Sequence, residues 1–175
     1  MGFLFAPLDQ GWWPDGLYTA PTDEALKYDI QKIKDFGFNN IRKHVKVEPA
    51  RWYTYCDQMG LIIWQDMPNG GRGSADWWGR GYYTGSEAIW PAESEAHYSK
   101  EWKEIIDDLY SYPSVGIWTL FNEAWGQFKT VEIAEWTKQY DPTRLVDPAS
   151  GGNHYQCGDM LDLHKLNFQA QARIW

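Results

Sequence analysis

Short apolar runs alternate with amphipathic stretches along the whole of this 175-residue chain, and most of the runs end on a polar or charged residue. Phe3 to Leu8 reads as a first strand. Thr22 then caps a helix whose first turn carries Asp23 and Glu24, acids suited to the positive helix end. Leu26, Ile30, Ile33 and Phe36 recur at helical spacing, and Gly37 closes the element. Asn40 to His44 is a second strand. Pro49 stands where a helix takes its first-turn proline, with Tyr53, Cys56 and Met59 behind it and Gly60 as the stop. Leu61 to Gln65 is almost wholly apolar, as a strand buried on both faces should be.

A long Gly- and aromatic-rich loop runs from Asp66 to about Pro91, the kind of loop that is usually functional. Glu93 to Leu109 is a third helix, with Tyr98, Trp102, Ile105, Ile106 and Leu109 on one face. The fourth strand, around Trp118, lies in the run Val115-Gly116-Ile117-Trp118-Thr119-Leu120-Phe121-Asn122-Glu123. A fourth helix follows over Val131 to Tyr140, then a weak fifth strand at Leu145-Val146 and a sixth over Met160 to His164.

Strand and helix in alternation mean parallel strands joined by crossover helices. Six such strands fit an open doubly wound sheet or most of an eight-stranded α/β barrel. No Gly-rich phosphate turn follows the first strand, which disfavours a nucleotide fold. The polar residues Asp9, Gln10, Arg42, His44, Asp66, Asn122, Glu123 and His164 each follow an apolar strand, and barrel active sites are built at the carboxyl ends of strands. The expected fold is therefore a (β/α)8 barrel, incomplete, over its first six strand-helix units, since a full barrel takes about 250 residues.

A net charge of -8 with no concentration of Lys and Arg excludes a nucleic-acid surface. No apolar run reaches the ~20 residues a membrane span needs. The opening Met1–Ala6 lacks a cationic segment and is too short in its apolar stretch for a signal peptide; a periplasmic or secreted parent would carry its leader before Met1. Cys56 and Cys157 give neither a disulfide framework nor metal-ligand spacing. A cluster of His44, His154, His164 and Asp162 fits no ligand pattern, and Ser150 lacks the turn expected of a nucleophilic serine. No cofactor or metal is expected. The 12 Trp and 11 Tyr suit a core and, at a pocket, the apolar faces of sugar rings.

Asn122-Glu123 carries the sharpest chemistry. Glycoside hydrolysis needs a protonated carboxylic acid beside the leaving oxygen and a second carboxylate across the ring. A half-buried Glu at a strand end is suited to the first role, and the neighbouring amide can hold a ring hydroxyl. The competing reading is a Glu that caps the next helix or pairs with an Arg. Arg42 and His44, two apart on one strand, share a face; they either converge on the pocket or serve the core as an ion pair and a satisfied imidazole. Asp66 and His164 bind a sugar hydroxyl or a backbone donor. Trp125, in the turn after Glu123, offers a ring to the same site.

At these residues the chain resembles the barrel domain of family 2 glycoside hydrolases, the group of β-galactosidases, β-glucuronidases and β-mannosidases. The resemblance lies in Leu8–Gly16, Gly37–His44, Trp52–Asp57, Trp64–Pro68, Phe121–Gln127 and Tyr140–Val146, and it runs from about Phe3 to Lys165. It implies a retaining exo-β-glycosidase of β-galactosidase type, with Glu123 as general acid/base and Asn122 on the sugar 2-hydroxyl. By it Arg42 and His44 lie beside the nucleophile and the glycone, and the partner is a β-glycoside; Asp66, His164 and Asp9 at strand ends and Trp125 in the turn after Glu123 are expected to bind substrate from their placement. Family members carry β-sandwich domains before the barrel and a nucleophilic Glu at the end of the seventh strand. No Glu follows Glu135, and Asn167 to Trp175 shows neither a strand nor an acid, so strands seven and eight are expected to be missing and the chain to be inactive alone. The alternative is a non-catalytic carbohydrate-binding protein with a degenerate barrel.

Overall fold

The computed structural model describes residues 4–70, 82–164 and the backbone of 173–174. Five parallel strands form one sheet: β1 (Leu8–Asp9), β2 (Asn40–Lys43), β3 (Ile62–Asp66), β4 (Val115–Thr119) and β5 (Leu145–Asp147). Helices α1 (Asp23–Asp35), α2 (Ala50–Met59), α3 (Ala92–Leu109) and α4 (Thr130–Tyr140) connect them in turn. The strand order is β1-β2-β3-β4-β5, with no reversal. A doubly wound sheet reverses its order at a switch point, whereas a barrel adds each strand beside the last. The sequential order therefore decides between the two architectures in favour of an incomplete barrel.

Local chemistry accounts for most boundaries. The Thr22 hydroxyl accepts from the Ala25 N–H at 3.1 Å and starts α1. Gly60 ends α2 in the left-handed region, φ 66°, where a side chain would be strained. Phe36 does not join the buried face of α1: it is the C-cap and 77% exposed, because the helix ends before its turn completes. Strand β1 is shorter than its apolar run, yet pairing extends back along it, with the Phe5 and Pro7 carbonyls accepting from Asn39, Asn40 and Arg42.

The helix side of the sheet is the core. Ile41, Ile63, Trp118 and Val146 are fully buried there, against Leu26, Ile30, Tyr53, Cys56, Trp102 and Ile106. Trp102 and Trp118 meet edge to face at 5.6 Å. The indole N–H groups find partners, Trp102 on Thr137 and Trp118 on Asp141, both at 2.9 Å. Asp141 also binds Arg144 at 2.7 Å, whose Nε donates to the Val115 carbonyl, so the Tyr140–Val146 block ties α4 to the foot of β4.

The sixth apolar segment departs from the expectation of another parallel strand. Only Met160–Leu161 (β6) is extended, and it pairs antiparallel with Arg173–Ile174 (β7), a strand the sequence reading did not include. The cause lies on β5. The Asp159 carboxylate accepts from the Val146 N–H at 2.9 Å, while the Asp159 N–H donates to the Val146 carbonyl. A side chain thus occupies the edge donor that a sixth parallel strand would use. In the long loop after β3, residues 71–81 lie outside the described residues, as do 165–172 and 175 near the carboxyl terminus.

A charged cluster sits beside β2. Glu48 Oε1 lies 2.5 Å from Lys43 Nζ and 2.8 Å from Lys46 Nζ, all three side chains 1% exposed. Lys43 also reaches Asp9 at 3.1 Å, and Lys46 binds the Gly11 carbonyl beneath the Tyr18 ring. Removing one partner of a buried pair leaves an uncompensated charge. Glu48→Gln is expected to cost about 3–5 kcal/mol in urea unfolding, while Phe36→Ala, on the exposed cap, stays within about 0.5 kcal/mol.

Candidate active site

Strand ends β2 to β5 bring their polar residues together on the face opposite the helices. Arg42 is the centre. Its Nε donates to Asp66 Oδ1 at 3.1 Å and its Nη2 to Asp66 Oδ2 at 2.9 Å, a two-pronged contact between neighbouring strands. The same Nη2 donates to Asn122 Oδ1 at 2.7 Å. Burial raises the Asp66 carboxyl, Arg42 opposes that, and the net direction is up. Asp66 Oδ2 takes a further bond from the Val45 N–H at 3.1 Å.

The chain leaves β2 after Lys43 and turns, with Val45 at φ 43°. His44 lies at this turn, where its charge acts on the Asp66 carboxyl, and its Nδ1 is 3.2 Å from Gln10 Nε2. Asp9 pairs with Lys43 at 3.1 Å.

Glu123 stands two residues beyond a strand extension that the Phe121 carbonyl and Ser150 N–H continue at 2.8 Å, and its own N–H donates to the Ser150 carbonyl at 2.9 Å. Glu123 and Ala124 both adopt left-handed backbone, φ 51° and 64°, followed by Gly126 at 59°. Such conformations are costly for residues with a side chain and gather at functional sites. Glu123 is half-buried, its side chain 41% exposed, with Oε1 3.2 Å from His164 Nδ1. Trp125, 46% exposed, lies on the same turn, its carbonyl held by Asn69 at 2.9 Å.

Asp147, at the end of β5, joins the group although the sequence reading passed over it. It is fully buried; Oδ1 accepts from the Ala149 N–H at 3.3 Å and Oδ2 has no partner among the described residues. Burial first, then the nearby Asp162, push its carboxyl well up, and Arg42 only partly offsets them. The signal was an acid directly after an apolar strand, as at Asp66, but Leu145-Val146 is too short a run to stand out. Asn122 Nδ2 is a second buried polar atom without a partner here. Buried donors and acceptors are normally satisfied, so this pair marks where a polar ligand would complete the site. Among the described residues no group of three or more His, Cys, Asp and Glu is placed to hold a metal.

The raised carboxyl gives a pH test. Because the folded chain binds the Asp147 proton more tightly than the unfolded chain, its ionisation opposes folding above the ordinary carboxylate range and not below it. Asp147→Asn is expected to stabilise the chain by about 1–3 kcal/mol at pH 7, with the gain fading as pH falls toward about 3.9 and absent below it. Urea unfolding at the two pH values reads both.

A sequence model described as glycosyl hydrolases family 2, TIM barrel domain, matches residues 19–170. A β-galactosidase of Photobacterium profundum is 29% identical over 80% of this chain, and the chain spans 13% of that protein. Among solved structures, a family 2 β-galacturonidase from Eisenbergiella tayi bound to galacturonate superposes with a TM-score of 0.63 at 20% identity, over 83% of this chain and 24% of that one. Bacteroides uniformis β-glucuronidase 3 gives 0.58 at 22% identity, over 81% of this chain and 17% of that one. With most of its length matched by the domain model, an unreversed parallel sheet and a polar cluster at the strand ends, this chain belongs to the TIM barrel domain of glycosyl hydrolases family 2.

Proposed function

We propose that this chain supplies the acid/base side of a retaining β-glycosidase site, acting on a β-galactoside or a close relative. One observation carries the reading: Glu123 ends the β4 extension with its side chain half-exposed on the strained turn, directly beside an amide that Arg42 has already oriented. The β-galactosidase name of the relative from Photobacterium profundum supports the substrate class.

The geometry supports the following roles. Arg42 consumes its own fork on Asp66 and Asn122, so it fixes those side chains rather than grasping a sugar. Asn122 has its oxygen taken and its Nδ2 free to donate to a ring hydroxyl, a bond that strengthens as charge develops at the anomeric carbon. Glu123 gives a proton to the leaving oxygen as the glycosidic bond breaks, then as carboxylate takes one from the attacking water. Trp125 presents its ring at the rim. His164, 3.2 Å from Glu123, controls that carboxylate and contacts the substrate from the same side.

A retaining mechanism also needs a carboxylate nucleophile about 5–5.5 Å from the acid/base, and we assign that role to none of the described residues. The 175-residue chain by itself is expected to leave aryl β-glycosides unhydrolysed while binding sugars weakly in titration calorimetry. In a full-length family 2 enzyme containing this segment, Glu123→Gln is expected to lower kcat by about 10²–10⁴-fold. Turnover of an aryl β-galactoside that is unchanged by the substitution overturns the acid/base role. Rapid hydrolysis by the 175-residue chain overturns the need for a further carboxylate.

A further inference from the structure

Behind Glu123 lies a directed chain of hydrogen bonds, and its meaning rests on the acid/base reading just given. Ser150, on the loop after β5, is fully buried. Its N–H and carbonyl both bond to the Phe121–Glu123 segment, at 2.8 and 2.9 Å. Its hydroxyl donates to Asp162 Oδ2, and its oxygen lies 3.2 Å from His164 Nε2. His164 Nδ1 in turn lies 3.2 Å from Glu123 Oε1. Gly151, at φ 60°, leaves the room: a Cβ there would come within 2.1 Å of the His164 ring. Four side chains from three segments are thus in series.

A serine hydroxyl has one proton. With that proton given to Asp162, Ser150 Oγ can only accept from His164, so Nε2 carries a hydrogen. A neutral imidazole has a single N–H. Its Nδ1 then turns a lone pair toward Glu123, and a lone pair facing an ionised carboxylate oxygen is repulsive. The contact holds when one proton sits between them, on Oε1 or on Nδ1. We infer that Ser150 and Asp162 are positioning residues that lock His164 with Nε2 protonated, so that the Glu123–His164 pair keeps one proton in the site. Glu123 spends that proton on the leaving oxygen and regains one from the attacking water, so the balance of the reaction is unchanged and His164 is not consumed.

The groups that face the imidazole are few. Glu123 comes from the β4 end, Ser150 from the β5 loop, and Asp162, 3.9 Å from Nε2, from the segment of His164 itself. His154 acts from the loop before β6, and Asp147 acts through Asp162. The two acids nearest the ring, Glu123 and Asp162, flank opposite nitrogens.

The test is ring-nitrogen NMR on the 175-residue chain labelled with ¹⁵N-histidine; the four histidine signals are assigned by single substitution. His164 is expected to show a protonated Nε2 across the neutral range, with Nδ1 either bare or also protonated. Ser150→Ala removes the acceptor at Nε2, and the form protonated on Nδ1 alone should rise about five- to tenfold, as loss of one hydrogen bond implies. Asp162→Asn, which returns the serine proton, should move the ring the same way and serves if Ser150→Ala does not fold. A wild-type His164 with bare Nε2 and protonated Nδ1 overturns the proposal, as does an unmoved ring in both variants. A fluorophosphonate adduct on Ser150 overturns it too, in favour of a serine nucleophile. The lock is read in ring nitrogens and the acid/base role in turnover, so either can fail without the other.

Discussion

The two-pronged contact between Arg42 and Asp66 is the constraint on which the site depends. It joins the carboxyl ends of β2 and β3 and, through the bond from Nη2 to Asn122, reaches the end of β4. Three strands are thereby held in one register at the point where the backbone ladder stops and loops begin. The guanidinium is rigid and planar, so its partners are fixed in direction as well as distance. Asn122 is held in direction by this contact, and Glu123 follows it one residue on along the backbone. Arg42 acts here as scaffold, and its charge offsets a set of carboxylates that burial would otherwise drive to protonation.

The two faces of the sheet divide the work. On the helix side, apolar residues and paired indoles make the core, and the Lys43–Glu48–Lys46 cluster is shut in with them. On the other side, Asn122 and Asp147 each bury a polar atom without a partner among the described residues, next to the left-handed backbone of Glu123 and Ala124.

Much of this was legible in the chain. Periodicity located all four helices and the central strands, because long amphipathic stretches and buried strands leave strong patterns. The strand-end rule picked out Arg42, Asp66, Asn122, Glu123 and His164, which the fold does bring together. Asp9, which the same rule named, pairs with the buried Lys43, and His44 sits at the turn after β2 beside Gln10. Asp147 was passed over because β5 is only three residues long, with two apolar residues to announce it, and Ser150 was weighed only as a nucleophile. The sixth strand was misread because a side chain can imitate a strand, and nothing in the apolar pattern reveals that Asp159 does so.

That imitation has a consequence for how the molecule meets other chains. Unpaired backbone groups along a sheet margin invite a foreign strand to add on, the first step of many fibrous deposits. At Val146 both groups are already taken by one aspartate, so the β5 margin offers no template there. At the opposite margin, Leu8 in β1 is 53% exposed. The two margins of the sheet therefore differ in what they present to a neighbouring chain.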